Sequence, residues 1–115
     1  MKLDNARHNN YIVIINDICY VWDTAKNISN LTKHNVSFEE AVTVFSDNQY
    51  IEKADPDHSE TEERLIVMGI SEQYRLLVVC NTVSQDEKTV RIISAREATL
   101  KEEKQYGGKT NARRI

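Results

Sequence analysis

The stretch RLIVMGISEQYRLLVVCNTVSQDEKTVRIIS, residues 64–94, decides the fold. It holds three runs rich in β-formers, RLIVMGI (64–70), RLLVVCN (75–81) and KTVRIIS (88–94), separated by SEQY and TVSQDE. Connections that short suit hairpins, so the stretch predicts an antiparallel meander. Upstream the period changes. Asp23 can cap a helix from about Thr24 to His34, with Asn35 as its left-handed terminator. Ser37 and Glu40 stand at capping-box spacing before FEEAVTVF, which strings Phe38, Ala41, Val42 and Phe45 along one helical stripe over 38–46. QYIEKA (49–54) is a weak strand, and Tyr11 to Trp22 supplies one or two more. Ser94 and Glu97 repeat the capping-box spacing, which predicts a last helix running to about Tyr106 and stopped by Gly107. Helices, then strands, then a helix is an α+β order: a small twisted antiparallel sheet with two helices from the N-terminal half and one C-terminal helix packed on it.

At 115 residues, 40% apolar, with one proline and three glycines, the chain reads as a single domain without a linker or internal repeat. Cys19 and Cys80 sit in apolar runs and form neither a disulfide framework nor a zinc spacing. The run YIVII (11–15) is too short for a signal peptide or a membrane span, so a cytoplasmic setting without membrane contact is expected. Net charge is −3 but unevenly spread: residues 39–63 carry nine acids against Lys53 alone, while residues 64–115 carry ten Lys and Arg against six acids. That distribution is either ordinary solvated clustering or a bipolar molecule with a basic face and an acidic lobe.

The helix over 24–34 gathers the basic groups. At about 100° per residue, Ala25, Ile28 and Leu31 share a face that should meet the sheet, while Lys26, Asn30, Lys33 and His34 share another. The plain reading of the second face is the wet side of an amphipathic helix. The sharper reading joins it to Arg64, Arg91 and Arg96. Arg91 alternates with Val90 and Ile92 and so leaves the opposite face of its strand. Arg96 would occupy the first turn of the last helix, where an anionic ligand would offset its clash with the dipole. His58, in DPDHSE, has no strong metal spacing with Asp55 and Asp57, so no metal and no cofactor are expected; a turn capped by Asp or Ser is the plainer reading.

VWDTAKNISNLTKHNVSFEEA, DPDHSETEERLIVMG, RLLVVCNT and VRIISAREATLKEEKQY, in that order from about Tyr20 to Tyr106, resemble the BrnT family of bacterial toxins. Asn35 stands where that pattern usually has glycine, and residues 1 to about 18 lie outside it. The resemblance implies a RelE-like fold, RNA cleavage that arrests translation, and a BrnA-like ribbon-helix-helix antitoxin that neutralises the toxin and alone contacts operator DNA. It divides the chain into an extension (1–18) that can add a strand, one toxin domain (19–106) and a flexible basic tail (107–115). Cleavage without metal needs a base for the 2′-OH proton, cations on the phosphate and an acid for the leaving oxygen. His34 and Lys33 are the candidates for proton transfer, since imidazole titrates near neutrality and an amine crowded by cations gives up its proton more readily. Arg64, Arg91 and Arg96 are the phosphate clamps, and Lys26, Asn30 and His58 the RNA contacts, with Glu63 beside His58 as second-rank. Two other readings stay open: a catalytically weak module that binds the antitoxin and tunes its repression, and a nonspecific anion binder.

Overall fold

The computed structural model describes residues 10–56 and 63–109. Six strands, β1 (Asn10–Ile15), β2 (Ile18–Asp23), β3 (Ile51–Ala54), β4 (Glu63–Ile70), β5 (Leu76–Val83) and β6 (Thr89–Glu97), form one sheet in the order β1-β2-β6-β5-β4-β3. The helices are α1 (Thr24–His34), α2 (Phe38–Val42), which continues as a 3-10 turn over Thr43–Ser46, and α3 (Leu100–Lys109).

The meander from β3 to β6 is antiparallel throughout. The sheet is nonetheless mixed, because β2 runs parallel to β6 over Cys19–Val21 and Thr89–Arg91. This departs from the expected all-antiparallel sheet, and its cause is long-range: the chain leaves β2 through α1 and returns only after the meander is complete. The stretch before residue 19 contributes β1, joined to β2 by a two-residue turn in which Asn16 and Asp17 both have positive φ, 53° and 69°.

One sheet face packs on α1, α2 and the 3-10 turn, burying Trp22, Val36, Phe38, Val44, Val67, Leu77, Val79, Ile92 and Ala95. Gly69 lets the 3-10 turn lie on β4: a Cβ there would stand 2.8 Å from Val44 Cγ1 and 3.0 Å from Tyr50 Cβ. Among the described residues the opposite face is covered at one end only, by α3, whose Tyr106 packs on Met68 and Val78 and donates to Asp47 Oδ2 at 2.5 Å.

The caps of the first two helices match the sequence. Asp23 Oδ1 accepts from Ala25 N, Asn35 is left-handed at φ 59°, and Ser37 Oγ accepts from Glu40 N. The third does not. Ser94 lies inside β6, which runs on to Glu97, and the capping box is Thr99 with Glu102: Thr99 Oγ1 accepts from Glu102 N at 3.2 Å and Glu102 Oε1 from Thr99 N at 2.8 Å. Both spacings fit the pattern, and β-ladder pairing of Ser94 to Arg96 with β5 selects the later one. Nor does Gly107 stop α3, which continues to Lys109.

The largest correction concerns α1. Ile28 and Leu31, expected against the sheet, are 63% and 47% exposed, while Asn30 is 6% exposed. Asn30 Nδ2 donates to Ala95 O at 2.8 Å and Val36 O at 2.9 Å, and its Oδ1 accepts from Ala95 N at 3.1 Å. The reason lies in β6. Its pairing with β2 ends at Arg91, so Ala95 faces that side with no neighbouring strand among the described residues, and the Asn30 amide pairs with its N–H and C=O as a strand would.

Candidate active site

Residues directly opposite in neighbouring strands project from the same face, so the registers place the side chains. Arg64 and Arg91 both flank Thr82; Ile66 and Ser94 flank Cys80, with Lys53 beyond Ile66; Met68 and Arg96 flank Val78. Thr82, Cys80 and Val78 alternate along β5, so Lys53, Arg64, Arg91 and Arg96 all leave the face that α3 only partly covers.

Arg91 and Arg96 are five apart, an odd spacing that would put them on opposite faces of a regular strand. A β-bulge corrects this: Asn81 pairs with Ile92 and Cys80 with Ser94, so Ile93 has no direct partner on β5. The extra residue restores Ser94 and Arg96 to the face of Arg91 while Ile92 and Ala95 both stay in the core.

At the α3 end this face holds a cleft of about 320 Å³ lined by His34, Lys53, Cys80, Ser94, Arg96 and Glu102. His34 reaches it as the last residue of α1, an orientation that follows from the inward turn of Asn30 one helical turn earlier. Lys33 and Lys26 are exposed on α1 and do not line the cleft. Asn30, expected among the RNA contacts, is withdrawn into the backbone pairing just described. His58 lies outside the described residues.

Arg96 stands on β6 and not in a helix, and its partner is Glu102 of α3, which it grips with two bonds, Nη1 to Oε1 at 2.8 Å and Nη2 to Oε2 at 2.9 Å. Nη1 also donates to Glu97 O at 3.2 Å. The fork holds the Glu102 carboxyl down to about 2 and raises the guanidinium above its ordinary value. Nη1 is then fully used. The edge formed by Nε–H and the outer Nη2–H carries no bond among the described residues, and two donors side by side suit two oxygens of one phosphate. Arg64 sits 3.5 Å from Asp55, its Nε buried without a hydrogen bond among the described residues.

Two members of this cleft escaped the sequence reading. Lys53 reads in sequence as the lone cation of an acidic segment, yet its two-residue spacing from Ile51, which pairs with Met68, places it on the face of Arg96. Glu102 was hidden by the misplaced helix start, although Thr99-x-x-Glu102 has the same capping spacing as Ser94-x-x-Glu97. Among the described residues no three His, Cys, Asp or Glu side chains converge as metal ligands, and no helix is long and apolar enough to cross a membrane.

The sequence model of the ribonuclease toxin BrnT, of type II toxin–antitoxin systems, matches residues 22–102. No curated protein matches the chain. The match spans more than two thirds of the chain, from the end of β2 into α3, and contains every described residue that lines the basic cleft: the chain belongs to the BrnT family of ribonuclease toxins.

Proposed function

We propose that the cleft between β6 and α3 holds one phosphodiester of an RNA and cleaves it by attack of the adjacent 2′-OH, with no metal taking part. The observation that carries this reading is the convergence of His34, Lys53 and Arg96 on one concave surface, although they come from a helix end, an edge strand and a central strand. The substrate supplies its own nucleophile, so the protein needs to move protons and hold charge. His34 exchanges a proton with the 2′-OH or the leaving 5′-oxygen. The free edge of Arg96 takes two phosphate oxygens, and Glu102 is a positioning residue that keeps the guanidinium turned toward them. Lys53 adds charge beside it. Arg91 and Arg64 continue the basic row toward Thr82 and carry the neighbouring phosphates, and Lys26 and Lys33 on the exposed side of α1 attract the strand.

The same reading carries a RelE-like role for the fold, arrest of translation in the cytoplasm, and neutralisation by a BrnA-like ribbon-helix-helix antitoxin through which alone the chain meets operator DNA. Single-turnover cleavage of a short RNA by the purified chain tests it. Cleavage is expected to survive EDTA; loss on chelation with recovery on adding a divalent ion would overturn the metal-free mechanism.

One observation favours a second reading, a catalytically weak module that binds the antitoxin: the Arg96–Glu102 fork is complete without a substrate, as a structural ion pair is. Expression of the chain alone divides the two. Growth arrest relieved by the antitoxin supports the nuclease, and normal growth with stable complex formation supports the module.

A further inference from the structure

On the sheet face opposite the basic cleft, beyond the end of α2, lies a second cavity, of about 390 Å³, with the opposite chemistry. Its wall is a row of rings: Tyr20 and Phe45 have centroids 5.2 Å apart, and Phe45 and Tyr50 6.0 Å. Glu63 and Glu87 stand at its rim, Glu52 adds a third carboxylate, and none of its described lining residues is a lysine or arginine. Acidic residues alone would not make a site. The decisive group is Asn81, 1% exposed on β5 and part of the lining. Its Nδ2 faces two carbonyls, Val79 O at 3.3 Å and Leu65 O at 3.5 Å, which fixes the amide's orientation. Its Oδ1 is buried with no donor among the described residues. A buried acceptor left without a donor costs stability unless something supplies one.

We propose that this cavity receives the guanidinium of an arginine carried by the protein antitoxin. The proposal rests on the chain's membership of a toxin–antitoxin family and not on the chemistry of the basic cleft. A planar cation stacks on aromatic rings, and five N–H donors can serve the Asn81 oxygen and the rim carboxylates together, whereas an ammonium fits the flat ring wall less well. The site anchors the partner on the face turned away from the RNA.

The test has two arms. In the first, N-acetylarginine amide is titrated into the isotope-labelled full chain and followed by NMR. The Asn81 side-chain amide and the ring signals of Tyr20, Phe45 and Tyr50 are expected to shift, while neutral N-acetylcitrulline amide binds about tenfold more weakly or worse. No response, an equal response to citrulline, or movement of the same signals by a short RNA instead would overturn the cavity's assignment. In the second, a Glu52→Gln, Glu87→Gln variant, altered only at exposed lining positions, is expected to bind purified antitoxin about tenfold more weakly while cleaving RNA at the parent rate. Undiminished antitoxin binding would overturn the proposed partner, and loss of cleavage in this variant would show that the two faces are not separate sites. Failure of cleavage in parent and variant alike would count against the nuclease reading and leave the arginine shifts as the measure of this one.

Discussion

At the scale of single residues, the proposed chemistry separates proton transfer from charge. His34→Gln is expected to lower the single-turnover cleavage rate by about 100-fold while RNA affinity stays nearly constant, because an imidazole at the end of a helix adds little to binding. Arg96→Ala should cost a similar factor, and Arg96→Lys should recover only part of it, since the ammonium cannot hold Glu102 and a phosphate on two edges at once. Rates within about threefold of the parent for all three variants would sink the assignment. How much of this was legible varies residue by residue. Arg91 could be placed from its alternation with Val90 and Ile92, and His34 from its position at a helix end. Lys53 could not, because an isolated lysine in an acidic segment gives no sign that a neighbouring strand will align it with Arg96. Asn30 misled for a physical reason: a side-chain amide looks the same in sequence whether it meets water or stands in for a missing strand.

At the scale of elements, α1 and β6 depart furthest from pattern. The exposed apolar pair on α1 and its buried amide predict an inverted mutational profile. Ile28→Ser and Leu31→Ser should each change stability by less than about 1 kcal/mol, whereas Asn30→Leu should cost about 2–4 kcal/mol by stranding the N–H and C=O of Ala95 and the carbonyl of Val36. Chemical denaturation reads both, and the reverse ranking would mean that α1 packs as its hydrophobic periodicity suggested. In β6 the bulge joins an odd spacing to a shared face, so it is open to a test by deletion. Removing Ile93 should turn either Arg91 or the Ser94–Arg96 segment to the other face and abolish cleavage, while Ile93→Val, which keeps the residue count, should cleave at close to the parent rate. The meander, the first two helices and their caps were readable because they depend on near neighbours. The third helix start was not, because two capping boxes five residues apart compete and only the ladder to β5 decides between them.

At the scale of the molecule, ion pairs tie the far elements together. Arg75, just before β5, donates Nη1 to Glu97 at 2.8 Å, Nη2 to Asn35 O at 2.9 Å and Nε to Glu40 at 3.0 Å, with Nη2 also on Glu40 Oε1, so one side chain joins the end of α1, α2 and β6. Glu40 is buried, and hydrogen bonding to Arg75 holds its carboxyl below the usual range. Arg75→Met should therefore cost about 1–3 kcal/mol, the loss expected when the buried Glu40 carboxylate is left without its partly exposed partner. Because the folded pKa values of Glu40 and Glu102 are depressed, the stability they contribute is present above the ordinary carboxylate value of 4.5 and is lost as pH falls, for Glu102 through about 2. Thermal melts between pH 5 and about 2 should show the parent losing its advantage over Glu102→Gln across that window, and a constant difference would argue against the fork. The parallel pair of β2 and β6 sets an order of events. Their paired residues lie about seventy positions apart, so β2 has no place in the sheet until β6 has formed, and β6 leaves the ribosome after the other five described strands. The cleft needs β6 for one wall and α3 for the other, so a nascent chain cannot assemble it early. A cleft walled in this way stays open on one side until both β6 and α3 have been made, whatever the order in which the earlier strands pair.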